Sequence, residues 1–155
     1  MSKRLKLCCA ASSGGHLEEL SCLKSLTDNY DIFTVTEKCE FGEESLGEKQ
    51  YYIRQINRKE SGFALHFLEI LIDSWKIIRK EKPDVIISTG ALATFPLCLI
   101  GKIMGKKVIY IESFARIDEP SLTGKLVYPF ADLFLIQWKE LKKVYPRAVY
   151  IGSIF

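Results

Sequence analysis

Residues 5–20 read LKLCCAASSGGHLEEL and join an apolar run, a glycine-rich turn and the start of an amphipathic segment. This order predicts a β-strand, a tight turn and a helix. Gly14 and Gly15 allow the backbone to approach a ligand closely, and the free N–H groups of a helix's first turn attract anions. His16 stands at the mouth of the turn, where an imidazole serves as a base or as a hydrogen-bond partner. The stretch therefore predicts an α/β domain with a binding site beside His16.

Length, charge and cysteine content narrow the class of protein. The chain has 155 residues, and we expect residues 1–155 to form one domain. The net charge of +3, with no helix that interleaves basic and aromatic residues, gives no indication of nucleic-acid binding. The five cysteines are odd in number and lack C-x-x-C spacing, so we expect reduced thiols and no zinc site. No stretch offers the roughly 18 apolar residues of a membrane-spanning helix, so we expect a soluble or peripheral protein.

Short β-rich runs alternate with helical periodicity along the whole chain. The predicted strands are residues 5–11, 31–36, 51–56, 84–88, 108–112, 133–137 and 149–151. The predicted helices are residues 16–26, 61–81, 94–104, 122–130 and 138–144. This alternation predicts an α/β fold with a doubly wound, mostly parallel, Rossmann-like sheet, which binds ligands at the carboxyl ends of its strands. That rule selects one rim, formed by residues 12–16, 37–38, 89–94, 112–116 and 137–139.

Two turns of small residues lead into helices on this rim. The second, residues 88–96, resembles the first in order, and two converging helix N-termini suit a diphosphate better than one does. The alternative is that each turn only makes a tight connection between strand and helix. The residues predicted to bind a diphosphate are Ser13, Gly14, Gly15, Thr89, Gly90 and Thr94.

Charged residues follow two other predicted strands. Residues 112–116 bring the carboxylate of Glu112, a hydroxyl and the guanidinium of Arg116 together, although each alone is commonly a solvated loop charge. As a group they are suited to bind sugar hydroxyls, supply a base and offset phosphate charge. Glu37, about twenty residues after the glycine turn, mimics the ribose-binding acid of dinucleotide folds. An autonomous nucleotide-binding enzyme that uses residues 12–16 and Glu37 therefore remains an alternative.

The long predicted helix carries more apolar surface than a sheet requires. The residues assigned to the core are Phe63, Phe67, Ile70, Leu71 and Ile78. The remaining apolar residues, called here the second stripe, are Leu65, Leu68, Ile72 and Trp75. With the basic residues Arg79 and Lys80 beside it, this stripe predicts a helix that lies on an anionic membrane surface. The alternatives are burial within the domain or against another protein.

An ordered series of short motifs gives the chain a family resemblance. The series is IESFAR (111–116), SLTGK (121–125), YP (128–129), AD (131–132), QW (137–138), YPRA (145–148) and Gly152. With these motifs the chain resembles the non-donor subunit of split GT-B glycosyltransferases of the bacterial capsule and exopolysaccharide type. That group is related to the membrane-recruiting subunit of the eukaryotic dolichol-linked N-acetylglucosamine transferase. The S-G-G-H turn also resembles the G-x-G-G-H turn of the peptidoglycan lipid-linked N-acetylglucosaminyltransferase.

The resemblance implies one Rossmann-like half of an enzyme that needs two. This half would hold a polyprenyl-diphosphate-linked sugar acceptor and recruit a separate donor-binding subunit that carries the UDP-sugar. Eukaryotic relatives have a membrane-spanning anchor and this sequence shows none, so recruitment to the cytoplasmic, inner face of the plasma membrane would rest on the second stripe. The absence of a D-x-D motif predicts no metal or other cofactor.

Residue roles also follow from the resemblance. His16 is the first candidate for the base that activates the acceptor hydroxyl and Glu112 the second, although either residue is equally suited to position the acceptor by hydrogen bonds. Arg116 would assist in diphosphate binding. A further alternative is a non-catalytic enhancer that only anchors and stabilises its partner.

Overall fold

Seven parallel strands form one sheet in the computed structural model, which describes residues 4–38 and 45–155. The strands are β1 (Lys6–Ala11), β2 (Asp31–Glu37), β3 (Lys49–Ile53), β4 (Val85–Gly90), β5 (Lys107–Ile111), β6 (Leu133–Ile136) and β7 (Val149–Tyr150). Their order across the sheet is β3-β2-β1-β4-β5-β6-β7. The helices are α1 (Gly15–Ser21), α2 (Phe63–Glu81), α3 (Phe95–Ile103) and α4 (Leu122–Val127). The predicted doubly wound, parallel sheet is confirmed.

The strand predicted over residues 51–56 is observed as Lys49–Ile53, and the helix predicted over residues 122–130 ends at Val127. Two other predicted helices differ more strongly. The helix predicted over residues 16–26 ends at Ser21 and is followed by a 3₁₀ segment, Lys24–Asp28. The Ser21 hydroxyl donates to the carbonyl oxygen of Glu18 at 2.6 Å, a local bond of the kind that favours turns over continued helix. Residues 138–144 form a 3₁₀ segment, Lys139–Lys143, instead of an α-helix.

Two hydrophobic clusters fill the two faces of the sheet. Helices α2, α3 and α4 cover one face, where Cys8 and Ala10 of β1 point, and α1 covers the other, where Leu7, Cys9 and Ala11 point. This alternation is expected of a strand buried on both sides. The thiols of Cys8, Cys9 and Cys98 are free and buried, and burial raises the pKa of Cys9 to about 12. Cys22 is free and exposed, and Cys39 lies outside the described residues.

Helix α2 separates the two apolar stripes that the sequence predicts. Of the stripe assigned to the core, Ile70 and Ile78 are buried, whereas Phe63, Phe67 and Leu71 are half-buried. The second stripe is exposed, from 68% for Leu65 to 42% for Trp75. The alternative that this stripe is buried within the domain is therefore wrong. No helix within the described ranges is long and apolar enough to cross a bilayer.

The central strands β1 and β4 are neighbours in space but are separated in the chain by the whole β2–β3–α2 segment. Such a reversal of strand order opens a crevice at the carboxyl ends of the two strands. Ser12 bridges the crevice at its base, because its N–H donates to Gly90 O at 2.7 Å and its hydroxyl accepts from Ala91 N at 3.0 Å. The fold therefore brings the two predicted small-residue turns together.

Candidate active site

A cleft of about 680 Å³ lies over the carboxyl ends of the central strands. Its volume is in the range of small-molecule sites. One wall consists of Ser12, His16, Glu37, residues 55–58 and Glu60. The other consists of residues 91–93, Tyr110, Ser113, Ala115, Arg116 and residues 121–123.

His16 is held in one orientation by two hydrogen bonds to Thr89. Its Nδ1 lies 2.8 Å from Thr89 O, and the Thr89 hydroxyl donates to His16 O at 2.6 Å. Because a carbonyl oxygen only accepts, Nδ1 carries the proton, and Nε2 of the neutral ring carries the lone pair. The ring lines the cleft. His16 is therefore arranged as a proton acceptor.

Gly90 packs directly behind this imidazole. A Cβ at Gly90 would lie 3.0 Å from His16 Cε1 and 3.2 Å from the Tyr110 hydroxyl, and the φ of Gly90 is +103°. A larger residue would therefore be strained and would displace the ring. Gly90 positions His16 and does not itself line the cleft.

Thr89 and Thr94 are fully buried, and their hydroxyls are used within the protein. Thr89 donates to His16 O, while Thr94 Oγ1 donates to Ala91 O at 2.8 Å and lies 2.8 Å from Ser88 Oγ. Neither residue lines the cleft. The predicted diphosphate contact through these two side chains is therefore not available in this arrangement, because both hydroxyls shape the turn instead.

The first glycine turn lies between Ser12 and His16, which line the cleft, whereas Ser13, Gly14 and Gly15 do not. Gly14 precedes α1 with a φ of +77°, and a Cβ placed at Gly14 or Gly15 would meet no atom within 4 Å. Ser13 directs its N–H and its hydroxyl toward Glu37 Oε2, each at 3.4 Å. The open space above Gly14 and Gly15 leaves room for a ligand, and their contact with a diphosphate stays a prediction.

Glu112 faces into the protein and is fully buried. Its Oε1 accepts from Ser113 N at 3.1 Å, and its Oε2 accepts from Ser121 N at 3.1 Å and from the Tyr145 hydroxyl at 2.9 Å. A Cβ at Gly124 would lie 2.2 Å from the same Oε2. Glu112 is not among the residues that line the cleft. This geometry fits a role in holding residues 113–121 and the start of α4, and it leaves His16 as the candidate base.

Two arginines provide positive charge at the cleft. Arg116 lines one wall, as its sequence position predicts, and Arg58 lines the other. Both are exposed, and neither forms a salt bridge with a carboxylate within the described part of the chain. Arg58 was not predicted as a cleft residue. It follows the third predicted strand, residues 51–56, so the rule that ligands bind at the carboxyl ends of strands also selects it.

Glu19 is the main site residue that no sequence pattern predicted. It is buried beneath the cleft, where it accepts hydrogen bonds from Ser113 Oγ at 2.8 Å, Phe114 N at 3.2 Å and Gln137 Nε2 at 2.9 Å. Gln137, predicted on the rim, is thus buried below it. Hydrogen bonds to Glu19 therefore connect the loop that contains Arg116 to α1.

Comparison with known proteins gives a family match over nearly the whole chain. The family model described as "Oligosaccharide biosynthesis protein Alg14 like" matches residues 7–154. The UDP-N-acetylglucosamine transferase subunit ALG14 of Homo sapiens is 28% identical, over 97% of this chain and 83% of that protein. The subunit of Mus musculus is 30% identical over the same shares of the two chains. The subunit of Schizosaccharomyces pombe is 47% identical over 46% of this chain and 37% of that protein.

Solved structures share the fold at low sequence identity. MurG of Acinetobacter baumannii superposes with a TM-score of 0.74 at 12% identity, and the match covers 96% of this chain and 45% of MurG. The UDP-GlcNAc 2-epimerase of Methanocaldococcus jannaschii, in complex with UDP-GlcNAc and UDP, has a TM-score of 0.74 at 17% identity, over 96% of this chain and 47% of the epimerase. The chain thus spans less than half of either structure. The likeness confirms the predicted Rossmann-like fold.

Proposed function

The chain belongs to the Alg14-like family of oligosaccharide biosynthesis proteins, and on that premise we propose that it is the acceptor-side subunit of a heteromeric glycosyltransferase. The complex transfers a sugar from a UDP-sugar to a polyprenyl-diphosphate-linked sugar. The observation that carries this proposal is the cleft in which Thr89 holds the His16 ring with Nε2 as its proton acceptor. A donor-binding partner completes the enzyme, since the human relative is described as a UDP-N-acetylglucosamine transferase subunit.

The proposed chemistry is a single displacement with inversion. His16 Nε2 takes the proton from the acceptor hydroxyl as the hydroxyl oxygen attacks the anomeric carbon of the donor. The bond from that carbon to the diphosphate of UDP breaks, and UDP leaves with the electron pair. The donor and the leaving group are bound by the partner subunit.

Binding of the acceptor diphosphate requires positively charged side chains and space for the phosphates beside the backbone. Arg58 and Arg116 lie on the two walls of the cleft without a carboxylate partner in the described ranges. Guanidinium groups bind phosphate oxygens in bidentate fashion. The open turn at Gly14 and Gly15 adds space beside His16. We assign the binding of the acceptor diphosphate to the two arginines and the glycine turn.

The exposed second stripe supports a peripheral membrane location. Leu65, Leu68, Ile72 and Trp75 present an apolar surface, and the Arg79 guanidinium lies 5.0 Å from the centre of the Trp75 ring. Lys80, also predicted to contact lipid, lies over the Tyr51 ring of β3 at 5.3 Å and is exposed. We propose that this face binds the inner leaflet of the plasma membrane. The sequence resemblance to bacterial subunits supports a place in capsule or exopolysaccharide synthesis.

Reconstitution tests the proposal directly. The purified chain, alone and with a co-expressed donor-binding subunit, is incubated with UDP-glucose, UDP-galactose or UDP-N-acetylglucosamine and with polyprenyl-diphosphate-linked sugars, and transfer is followed by mass spectrometry of the lipid. We expect turnover only when both chains are present.

Three results would contradict the proposed function. Full turnover by the single chain contradicts the split enzyme. Tight binding of UDP-sugar or of a dinucleotide by the single chain supports the autonomous nucleotide-binding alternative. Undiminished activity of a complex that carries His16→Ala supports the non-catalytic enhancer.

A further inference from the structure

Four glutamates are buried in the part of the chain that the structure describes, and three of them do not line the cleft. Glu19 and Glu112 each accept from three different groups. Glu81 accepts from Lys6 at 2.5 Å and also from Lys49 and Tyr51. The fourth, Glu37, is 6% exposed and, unlike the other three, lines the cleft.

Glu37 also accepts from three groups within the protein, but two of these contacts are long. Ser13 approaches Oε2 through its N–H and its hydroxyl, both at 3.4 Å, which is longer than an ordinary hydrogen bond. The backbone of Ile56 makes a further hydrogen bond to the carboxylate. No lysine or arginine of the described ranges lies within salt-bridge distance. The other glutamate of the cleft, Glu60, is by contrast paired with His66 at 2.6 Å.

The position of Glu37 makes its carboxylate accessible to a ligand in the cleft. Glu37 ends β2, beside the end of β1, and lines the same wall as His16. Burial raises the pKa of Glu37, and the bonds from Ser13 and Ile56 and the nearby His16 oppose the rise only in part. A buried carboxylate with long hydrogen bonds and no nearby cation is stabilised when a ligand supplies further donors.

The chemistry of a carboxylate limits what that ligand group is. An ionised carboxylate only accepts hydrogen bonds, so the ligand must donate through O–H or N–H. A phosphate would be repelled by the like charge, and Arg58 and Arg116 are available to it elsewhere on the walls. Neighbouring hydroxyls of a sugar ring match the two oxygens of a carboxylate.

We propose that Glu37 accepts hydrogen bonds from hydroxyl groups of the acceptor sugar and thereby fixes that sugar beside His16. This inference rests on the proposed function, since it assigns part of the same cleft to the sugar of the lipid-linked acceptor. It makes Glu37 a residue that selects among acceptor sugars. The diphosphate is then bound by Arg58, Arg116 and the glycine turn, and not by Glu37.

The test compares two lipids that differ only in the sugar. Binding of the full chain is measured in detergent micelles, first to a short polyprenyl diphosphate carrying glucose, galactose or N-acetylglucosamine, and then to the same polyprenyl diphosphate without sugar. The variants are Glu37→Ala and the isosteric Glu37→Gln. Glu140→Gln, an exposed residue of the Lys139–Lys143 segment, is the matched control. Urea unfolding of each variant monitors the fold.

We expect Glu37→Ala to bind the preferred sugar-linked lipid roughly ten- to a hundredfold more weakly, as expected for lost hydrogen bonds to a charged group. Glu37→Gln, which keeps one accepting oxygen, should lose less and also covers the case in which Glu37→Ala does not fold. Both variants should bind the sugar-free lipid as well as the wild type does, or slightly better, because a negative charge is removed. Glu140→Gln should match the wild type for both lipids.

Equal losses for both lipids would show a structural effect and overturn the proposal, as would undiminished binding of the sugar-linked lipid. A wild-type chain that binds neither lipid refutes the acceptor site itself, and the role of Glu37 is refuted with it. The wild-type measurement thus separates failure of the proposed function from failure of this inference.

Discussion

At the scale of single residues, a hydrogen bond to Thr89 determines the tautomer of the His16 imidazole. The carbonyl oxygen of Thr89 holds the proton on Nδ1, so the basic nitrogen is Nε2. We predict that His16→Ala lowers kcat/KM of the assembled complex by about 10²- to 10⁴-fold, the usual loss for a general base. His16→Asn keeps a donor for Thr89 and should lose as much activity. Initial rates with saturating partner subunit check both variants.

Assembly provides the control for this prediction, because both variants should still co-purify with the partner. A loss of less than about threefold would remove His16 from the catalytic machinery.

Glu81 shows how a buried charge makes stability depend on pH. Burial alone would raise its pKa, but hydrogen bonds from Lys6 and Tyr51 and the charges of Lys6 and Lys49 outweigh burial and lower the pKa from 4.5 to about 2. A carboxylate whose pKa is lowered by folding stabilises the fold above its unfolded pKa, and this stabilisation is lost as the pH falls toward the folded pKa. We predict that Glu81→Gln lowers the free energy of unfolding by roughly 1–3 kcal/mol at pH 7.

Urea unfolding at a series of pH values measures this effect. The difference between wild type and Glu81→Gln should be constant above about pH 5 and should shrink between pH 4.5 and pH 2. A difference that persists unchanged to pH 2 would show that packing, and not charge, accounts for it.

At the scale of elements, the turn between β1 and α1 allows ligand binding to be changed without a loss of stability. Gly15 begins α1, and a Cβ there meets no atom within 4 Å, so Gly15→Ala should leave the melting temperature unchanged or slightly raised. The added methyl occupies the space assigned to the diphosphate, and we predict weaker binding of sugar-free polyprenyl diphosphate. Gly14→Ala is the contrasting variant, since a φ of +77° makes alanine costly to the fold. Unchanged lipid affinity in a stable Gly15→Ala would place the diphosphate elsewhere.

Helix α2 carries the prediction about membranes. Replacing Leu68 and Trp75 together with serine removes half of the exposed second stripe without touching the core, so the chain should unfold as before but no longer float with phosphatidylglycerol vesicles. Val149→Ser, an exposed apolar residue on β7 at the far edge of the sheet, is the control and should still float.

Charge reversal of Arg79 and Lys80 to glutamate addresses the same helix by electrostatics. Each basic residue near anionic lipid contributes up to about 1 kcal/mol, and salt screens this attraction. Release from vesicles should therefore be most pronounced at low salt. If flotation persists while the partner subunit no longer co-purifies, the stripe is a protein interface.

At the scale of the whole molecule, Glu19 joins segments that are far apart in the chain. It connects α1 to residues 113–114 and to Gln137, which are 94 to 118 positions away. We predict that Glu19→Gln loosens the loop that carries Arg116 before it affects the sheet. The measurement is hydrogen exchange, where the amide of Phe114, which donates to Glu19, should exchange faster while amides of β1 and β4 keep their protection. Equal protection of Phe114 in both proteins would contradict this role.

The alternation of strands and helices was predictable from the sequence because it depends on neighbours along the chain. Apolar periodicity and the glycine turn at the start of α1 are local signals, and they placed most elements correctly. The carboxyl-end rule then located the cleft and His16 within it. Boundaries failed where a short-range bond intervened, as at Ser21, whose hydroxyl binds the backbone of Glu18.

The tertiary structure alone decided which carboxylates serve the cleft. Glu112 appeared to belong to the rim, but it faces inward because Ser121 and Tyr145, the latter 33 positions away, bind its carboxylate. Glu19 reads as an ordinary polar helix residue, yet it is buried under a distant loop. Glu37 lines the cleft because the strand order puts it beside β1. A sequence fixes which groups are present and their local conformation, whereas burial and hydrogen-bond partners depend on segments that only the folded sheet brings into contact.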